Sequence, residues 1–161
     1  MFQNKLKLNC DKTKYMMIFN RNYKVCNNIR LEIREHEIER VDKMKYLGII
    51  IDRKLKWDDH VDYTASNIAR KIGFIYRSCK YVSKWHKLTI YRSIIETYFV
   101  YCPTILFTLN NAQIRTFQIQ QNKIMRIIVN KGYDTPLAEM IGSLDWLNVK
   151  QLITYHIFKI Y

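Results

Sequence analysis

Apolar residues in this chain keep a period of two up to about Trp57 and a period of three to four beyond it. Lys5-Leu6-Lys7-Leu8-Asn9 alternates briefly, Asp11-Lys12-Thr13 punctuates it, and residues 13–19 predict a strand. Asn20-Arg21-Asn22 is turn material. Ile29, Leu31 and Ile33 alternate with Arg30, Glu32 and Arg34, the pattern of a half-exposed strand. Glu35-His36-Glu37 turns that strand back into residues 38–42. Residues 41–51 are richer in β-branched and aromatic types and predict one further strand. Met44, Tyr46 and Ile50 point to one face of it and Leu47, Ile49 and Ile51 to the other, so coverage on both sides is expected. Gly48 interrupts the run where a second backbone can approach closely. Residues 1–56 therefore read as a small antiparallel β unit.

From Trp57 the pattern is helical. Val61, Ala65, Ile68, Ile72, Ile75, Cys79 and Val82 recur at alternating steps of four and three, one continuous stripe. Asp58, Asp59 and Asp62 lie in its first turns, where carboxylates favour the positive end of the helix dipole. Ser83 is placed to cap a second helix carrying Leu88, Tyr91, Ile95, Tyr98 and Cys102 inward, which Pro103 should end or kink. Asn110 or Asn111 caps a third, with Ile114, Phe117, Ile124 and Ile128 inward and Gln118, Gln120, Gln121 and Lys123 outward. Lys131-Gly132 stops it, and Thr135-Pro136 starts a short helix. A last helix begins near Leu147 and is still apolar at Tyr161, an end that reads as truncated. The fold class expected is α+β, with a β-rich part over 1–56, a basic helical region over 57–132 and a helical tail over 133–161.

Composition agrees with a folded chain: 161 residues, 48% of them hydrophobic, with only 4 Gly and 2 Pro. Cys10, Cys26, Cys79 and Cys102 form no CxxC pair and read as buried free thiols in a reducing compartment. His36, His60, His86 and His156 are scattered, so no metal site is expected. The first residues lack the apolar core of a signal peptide, and the longest apolar run, over 98–109, is too short to span a bilayer. A soluble intracellular protein, nuclear or cytoplasmic, is expected.

Charge changes the picture more. The formal net charge is +13, which points to a polyanionic partner. It is concentrated: between Tyr63 and Lys131 eleven cations stand against Glu96 as the one acid. A solvated helix face normally mixes both signs. A face stripped of acids and interleaved with Tyr63, Tyr76, Tyr81, Trp85 and Tyr91 suits a phosphate backbone with bases or sugars beside it.

Several strings occur in a telling order: Leu8-Asn9-Cys10-Asp11-Lys12-Thr13-Lys14-Tyr15-Met16-Met17-Ile18-Phe19, Lys45-Tyr46-Leu47-Gly48, Leu55-Lys56-Trp57-Asp58-Asp59-His60, Ile90-Tyr91-Arg92-Ser93-Ile94-Ile95, and Gln120-Gln121-Asn122-Lys123-Ile124-Met125-Arg126-Ile127-Ile128. Taken together they resemble the C-terminal part of the reverse transcriptase domain of non-LTR (LINE-type) retrotransposons, over nearly the whole chain. The resemblance implies that the first string is late palm, with Asn9, Lys12 and Lys14 in the motif near the incoming nucleotide. It implies that the strand with Lys45, Tyr46 and Gly48 is the primer grip, and that the helices from Trp57 are thumb and connector.

The departure matters as much. Such polymerases hold two Mg²⁺ ions on paired carboxylates, which the resemblance places in an aromatic-Ala-Asp-Asp turn upstream of residue 1. Trp57-Asp58-Asp59 imitates that string but opens a helix, so a dipole and capping role is expected for it. The expectation is a non-catalytic fragment, binding no cofactor itself although the intact parent uses Mg²⁺. It would hold an RNA–DNA hybrid or duplex through Lys45, Tyr46, Gly48, Arg70, Lys71, Arg77, Lys80, Lys123 and Arg126. The palm and fingers of the parent polymerase are its second expected partner, and no membrane is. The alternative is a basic helical module that docks a protein or an acidic membrane surface.

Overall fold

The computed structural model describes residues 8–18, 29–33, 35–132 and 134–160. The expected turn at Asn20-Arg21-Asn22, and the parts of expected strands at Lys5–Lys7, Phe19 and Arg34, lie outside the described residues, as does Cys26. Two compact units make up the chain, Met1–His60 and Val61–Tyr161, strands in the first and helices in the second, which is the α+β class expected.

Among the described residues the first unit holds a 3-10 turn, Cys10–Lys12, with Asn9 at its N-cap accepting the Lys12 N–H at 3.2 Å. Six short strands follow among the described residues: β1 (Lys14–Tyr15), β2 (Glu32–Ile33), β3 (His36–Glu37), β4 (Glu39–Arg40), β5 (Lys43–Tyr46) and β6 (Ile49–Asp52). They pair two by two, β2 with β3 and β5 with β6 antiparallel, but β1 with β4 parallel. That corrects the all-antiparallel expectation, and the strand expected over 13–19 shrinks to two residues. Charge favours the parallel register, in which Lys14 lies beside Glu39 and its Nζ is 2.7 Å from the carboxylate.

The largest correction falls on residues 41–51. They form a hairpin, not one strand, and Leu47-Gly48 is its two-residue turn. Leu47 and Gly48 have φ of 46° and 85°, the left-handed pair whose twist matches that of the flanking strands. Glycine adopts this freely, whereas Leu47 pays about 1–2 kcal/mol for it. The turn also shifts the phase, since Met44 faces Ile51 and Tyr46 faces Ile49, so these four share one face. Neither side is fully covered: β5 is largely exposed, and Tyr46 is 60% exposed.

Beyond β6 the chain turns sharply into α1 (Asp58–Ser78) through Leu55 and Trp57, both at positive φ. Asp52 holds this turn, its carboxylate accepting the N–H groups of Lys54, Lys56 and Trp57 at 2.9, 2.9 and 3.1 Å. Partial burial pushes that carboxyl up, but the three N–H donors outweigh it and hold Asp52 below the usual carboxylate range. His60 fastens the hairpin to the first turn of the helix. It is buried, and its Nδ1 accepts the Ile50 N–H at 3.4 Å. Burial disfavours the charged ring and lowers its pKa below the ordinary 6.5. A lowered folded pKa means that this contribution to stability is complete above about 6.5 and is lost as pH falls through the folded value. In urea melts at pH 7.5 and 5.0, the native chain should therefore lose more stability on acidification than His60→Asn, whose Oδ1 stands at the Nδ1 position and accepts the same N–H without titrating. Equal losses would mean that His60 is not the titrating fastener.

In the second unit α1 continues, followed by α2 (Lys84–Ile94), α3 (Glu96–Val100), α4 (Pro103–Phe107), α5 (Asn111–Val129), α6 (Leu137–Leu144) and α7 (Val149–Ile160). The predicted α1 stripe is buried from Val61 to Cys79, with only Val82 half-buried beyond its end. The second helix is broken where none was expected, at Ile95, before Pro103 is reached. Pro103 instead opens α4, behind Cys102 at φ 53°. Because of the break the buried stripe runs Tyr91, Ile95, Phe99 rather than through Tyr98 and Cys102, which are half-buried. Ser83 sits at the N-cap of α2 but makes no capping bond; its hydroxyl is 2.7 Å from His86 Nδ1. Asn110 does cap α5, reciprocally with Gln113 at 2.9 and 3.0 Å. Asn130, in the left-handed region, ends α5 one residue before the predicted stop.

Phe99 and Phe117, both fully buried, meet edge-to-face at the centre of this core, with Ile68, Ile95, Leu106, Ile124 and Ile153 also buried. Gln121, expected outward, is buried instead: its Nε2 donates to the Leu147 carbonyl at 3.0 Å and lies 3.5 Å from the Tyr91 hydroxyl. Gln118 Oε1 accepts the Val149 N–H at 2.9 Å, so two glutamines of α5 satisfy backbone groups at the start of α7. Trp146, in the same connection, stacks on Tyr91 at 4.0 Å between centroids. Among the described residues no helix is long and apolar enough to cross a membrane.

Candidate nucleic-acid interface

Helix α1 turns two faces to different tasks. Its buried stripe goes to the core, while Ala69, Gly73 and Tyr76, spaced three and four apart, and Lys80 just beyond its end form one wall of a groove of about 500 Å³. The facing wall comes from the end of α5, with Gln120, Lys123, Arg126, Ile127 and Asn130, and Lys87 of α2 and Lys131 complete the lining. The groove belongs wholly to the second unit. Five cations line it and no carboxylate does. Lys131 has a partner outside it in Glu139, at 3.4 Å. Ile72, Ile127 and Cys79 give the groove an apolar floor beneath that rim of charge.

Three residues expected to bind nucleic acid, Lys80, Lys123 and Arg126, are thus brought together from helices more than forty positions apart in sequence. Arg77 lies at the edge, its Nη1 3.5 Å from where a Cβ on Gly73 would stand. Arg70 and Lys71 do not line the groove. Arg70 hydrogen-bonds the Asn67 side chain, and the Lys71 ammonium sits 5.7 Å from the centre of the Tyr98 ring. Lys87 and Lys131 are additions that the charge pattern alone did not single out. A signal for Lys87 existed, since it precedes Tyr91 and Ile95 by four and eight positions and so falls on the buried stripe. The residue is 8% exposed as a whole and lies in the lining with the other cations.

The remaining expected site residues lie in the first unit. Lys45, Tyr46 and Gly48 occupy β5 and the hairpin turn, with Tyr46 and Leu47 exposed. Asn9 and Lys12 are the cap and last residue of the 3-10 turn, while Lys14 is held by Glu39. The acids of Trp57-Asp58-Asp59 stand in the first turn of α1, and the Lys43 ammonium takes the Asp59 carboxylate at 2.7 Å. That hydrogen bond raises the Lys43 pKa. Among the described residues no group of three His, Cys, Asp or Glu side chains is placed to hold a metal ion.

The chain is similar to the probable RNA-directed DNA polymerase from transposon X-element of Drosophila melanogaster, with 29% identity over 99 residues. The match covers 60% of this chain and 11% of the relative, so the chain spans about a tenth of that protein's length. No family model matches the chain, and no solved structure does. The relationship is thus to the reverse transcriptase of a transposable element.

Proposed function

We propose that this chain is the late palm, primer grip and thumb of such a reverse transcriptase, and that it holds template-primer nucleic acid by its backbone without polymerising on its own. The observation that supports this best is the groove, where Lys80 from the turn after α1 converges with cations of α2 and α5 and no carboxylate is in the lining. A phosphate backbone relieves that repulsion and releases its own counterions, so the interaction favours charge over sequence. The exposed Tyr46-Leu47 tip of the hairpin is the part suited to lie against a primer end. Lys12 and Lys45 are further backbone contacts in this reading.

Filter binding of hybrid and duplex oligonucleotides over a salt series tests the holding role, with anionic vesicles in parallel for the membrane alternative. Given template, primer, Mg²⁺ and nucleotides, the purified chain should extend no primer, because Asp58 and Asp59 open a helix instead of standing as a carboxylate pair in a turn between two strands. Metal-dependent incorporation that disappears in Asp58→Asn or Asp59→Asn would overturn that part.

A further inference from the structure

The groove is built for more than a passing phosphate. A bare phosphate would satisfy the cations and leave the half-buried Ile127 and the exposed Tyr76 ring uncovered. The volume of about 500 Å³ lies in the range of small-ligand pockets, roughly 300–1,000 Å³. Two small residues on α1, Ala69 and Gly73, keep the wall open, and the Tyr76 ring stands beside it, largely exposed. In the wall, Gln120 Oε1 is buried and has no hydrogen-bond partner among the described residues. A buried amide in that state is ready for a ligand that carries hydrogen-bonding groups as well as charge.

From these features we propose that the groove is a pocket for one unpaired nucleotide at a strand end, its phosphate among Lys80, Lys87 and Lys123 and its base against the apolar floor. The base's polar edge then meets the Gln120 amide, and its face covers Ile127 and lies beside the Tyr76 ring. This rests on the reading of the second unit as a nucleic-acid surface and adds to it a preference for frayed or overhanging ends over blunt ones. Stacked, paired bases cannot enter, whereas a splayed base brings ring and phosphate together.

The test uses the full chain and two kinds of probe. In equilibrium titrations, adenosine 5′-monophosphate should bind roughly 10-fold or more tighter than inorganic phosphate or adenosine, since each of these lacks one half of the match. Lys87→Met, which keeps the stem and removes the charge, should weaken it by roughly 10-fold, the loss of one charge-assisted contact. Gly73→Leu fills the groove without altering charge. It suits a helix interior, and its Cβ meets only the Arg77 guanidinium at an ordinary 3.5 Å, so the variant should fold. It should abolish the preference for the nucleotide over phosphate and for an overhang over a blunt end, each read as a ratio within the same variant. Monophosphate binding no tighter than phosphate, or an overhang preference that survives Gly73→Leu, would overturn the pocket. Loss of salt-dependent blunt-duplex binding in the native chain would instead overturn the surface reading, so the two failures are distinct.

Discussion

Raising salt from about 50 to about 200 mM should weaken duplex binding to this chain by roughly 250- to 1,000-fold, a slope of about −4 to −5 on logarithmic axes. The figure follows from about four to six engaged cations at roughly 0.9 released counterions each. The groove supplies five and Arg77 stands at its edge, so the number is a property of one surface and not of the net charge. Lys80→Glu or Lys123→Glu should each flatten the slope by roughly one to two units and weaken every sequence alike, because a phosphate contact carries no base information. Arg70→Glu, outside the lining, should do less. A flat salt response, or adsorption to anionic vesicles without nucleic-acid binding, would remove nucleic-acid holding as the function and leave only the relationship to a transposon polymerase.

Phe117→Ala should destabilise the second unit by about 3–5 kcal/mol, the usual loss when a buried aromatic is truncated. Phe117 is fully buried, and its ring centre lies 6.1 Å from that of Phe99, itself fully buried, at 64° between planes. Both transfer free energy and the edge-to-face contact are lost, and a cavity opens between α3 and α5. Against a total stability of about 5–15 kcal/mol, that is roughly a fifth or more of what keeps a domain folded. With a slope of about 2 kcal/mol per molar urea, the midpoint should fall by roughly 1.5–2.5 M. Phe158→Ala is the comparison: Phe158 is 77% exposed, and its loss should stay within about 0.5 kcal/mol. A shift for Phe117→Ala as small as that for Phe158→Ala would mean that the core is not centred on this ring pair.

Some of this was legible in residue order, and the division has a physical basis. The change of period at Trp57, the α1 stripe from Val61 to Cys79 and the Asn110 cap depend on residues within a few positions of one another, so the sequence by itself determines them. The acid-poor stretch between Tyr63 and Lys131 is likewise a matter of counting. What only the tertiary structure decided rests on distant neighbours. Whether 41–51 is one strand or a hairpin depends on which partner satisfies its backbone, and Leu47-Gly48 folds it onto itself. Gln121 is polar and yet buried, because the Leu147 carbonyl, twenty-six residues on, lies within its reach. The break at Ile95 leaves Phe99 rather than Tyr98 in the core. Lys80 and Lys123 share a groove because α1 and α5 face one another there, with Lys87 of α2 between them in its lining. Periodicity tells a helix which of its faces turns inward, but only the packed chain decides which helix that face, and the charges at its edge, will meet.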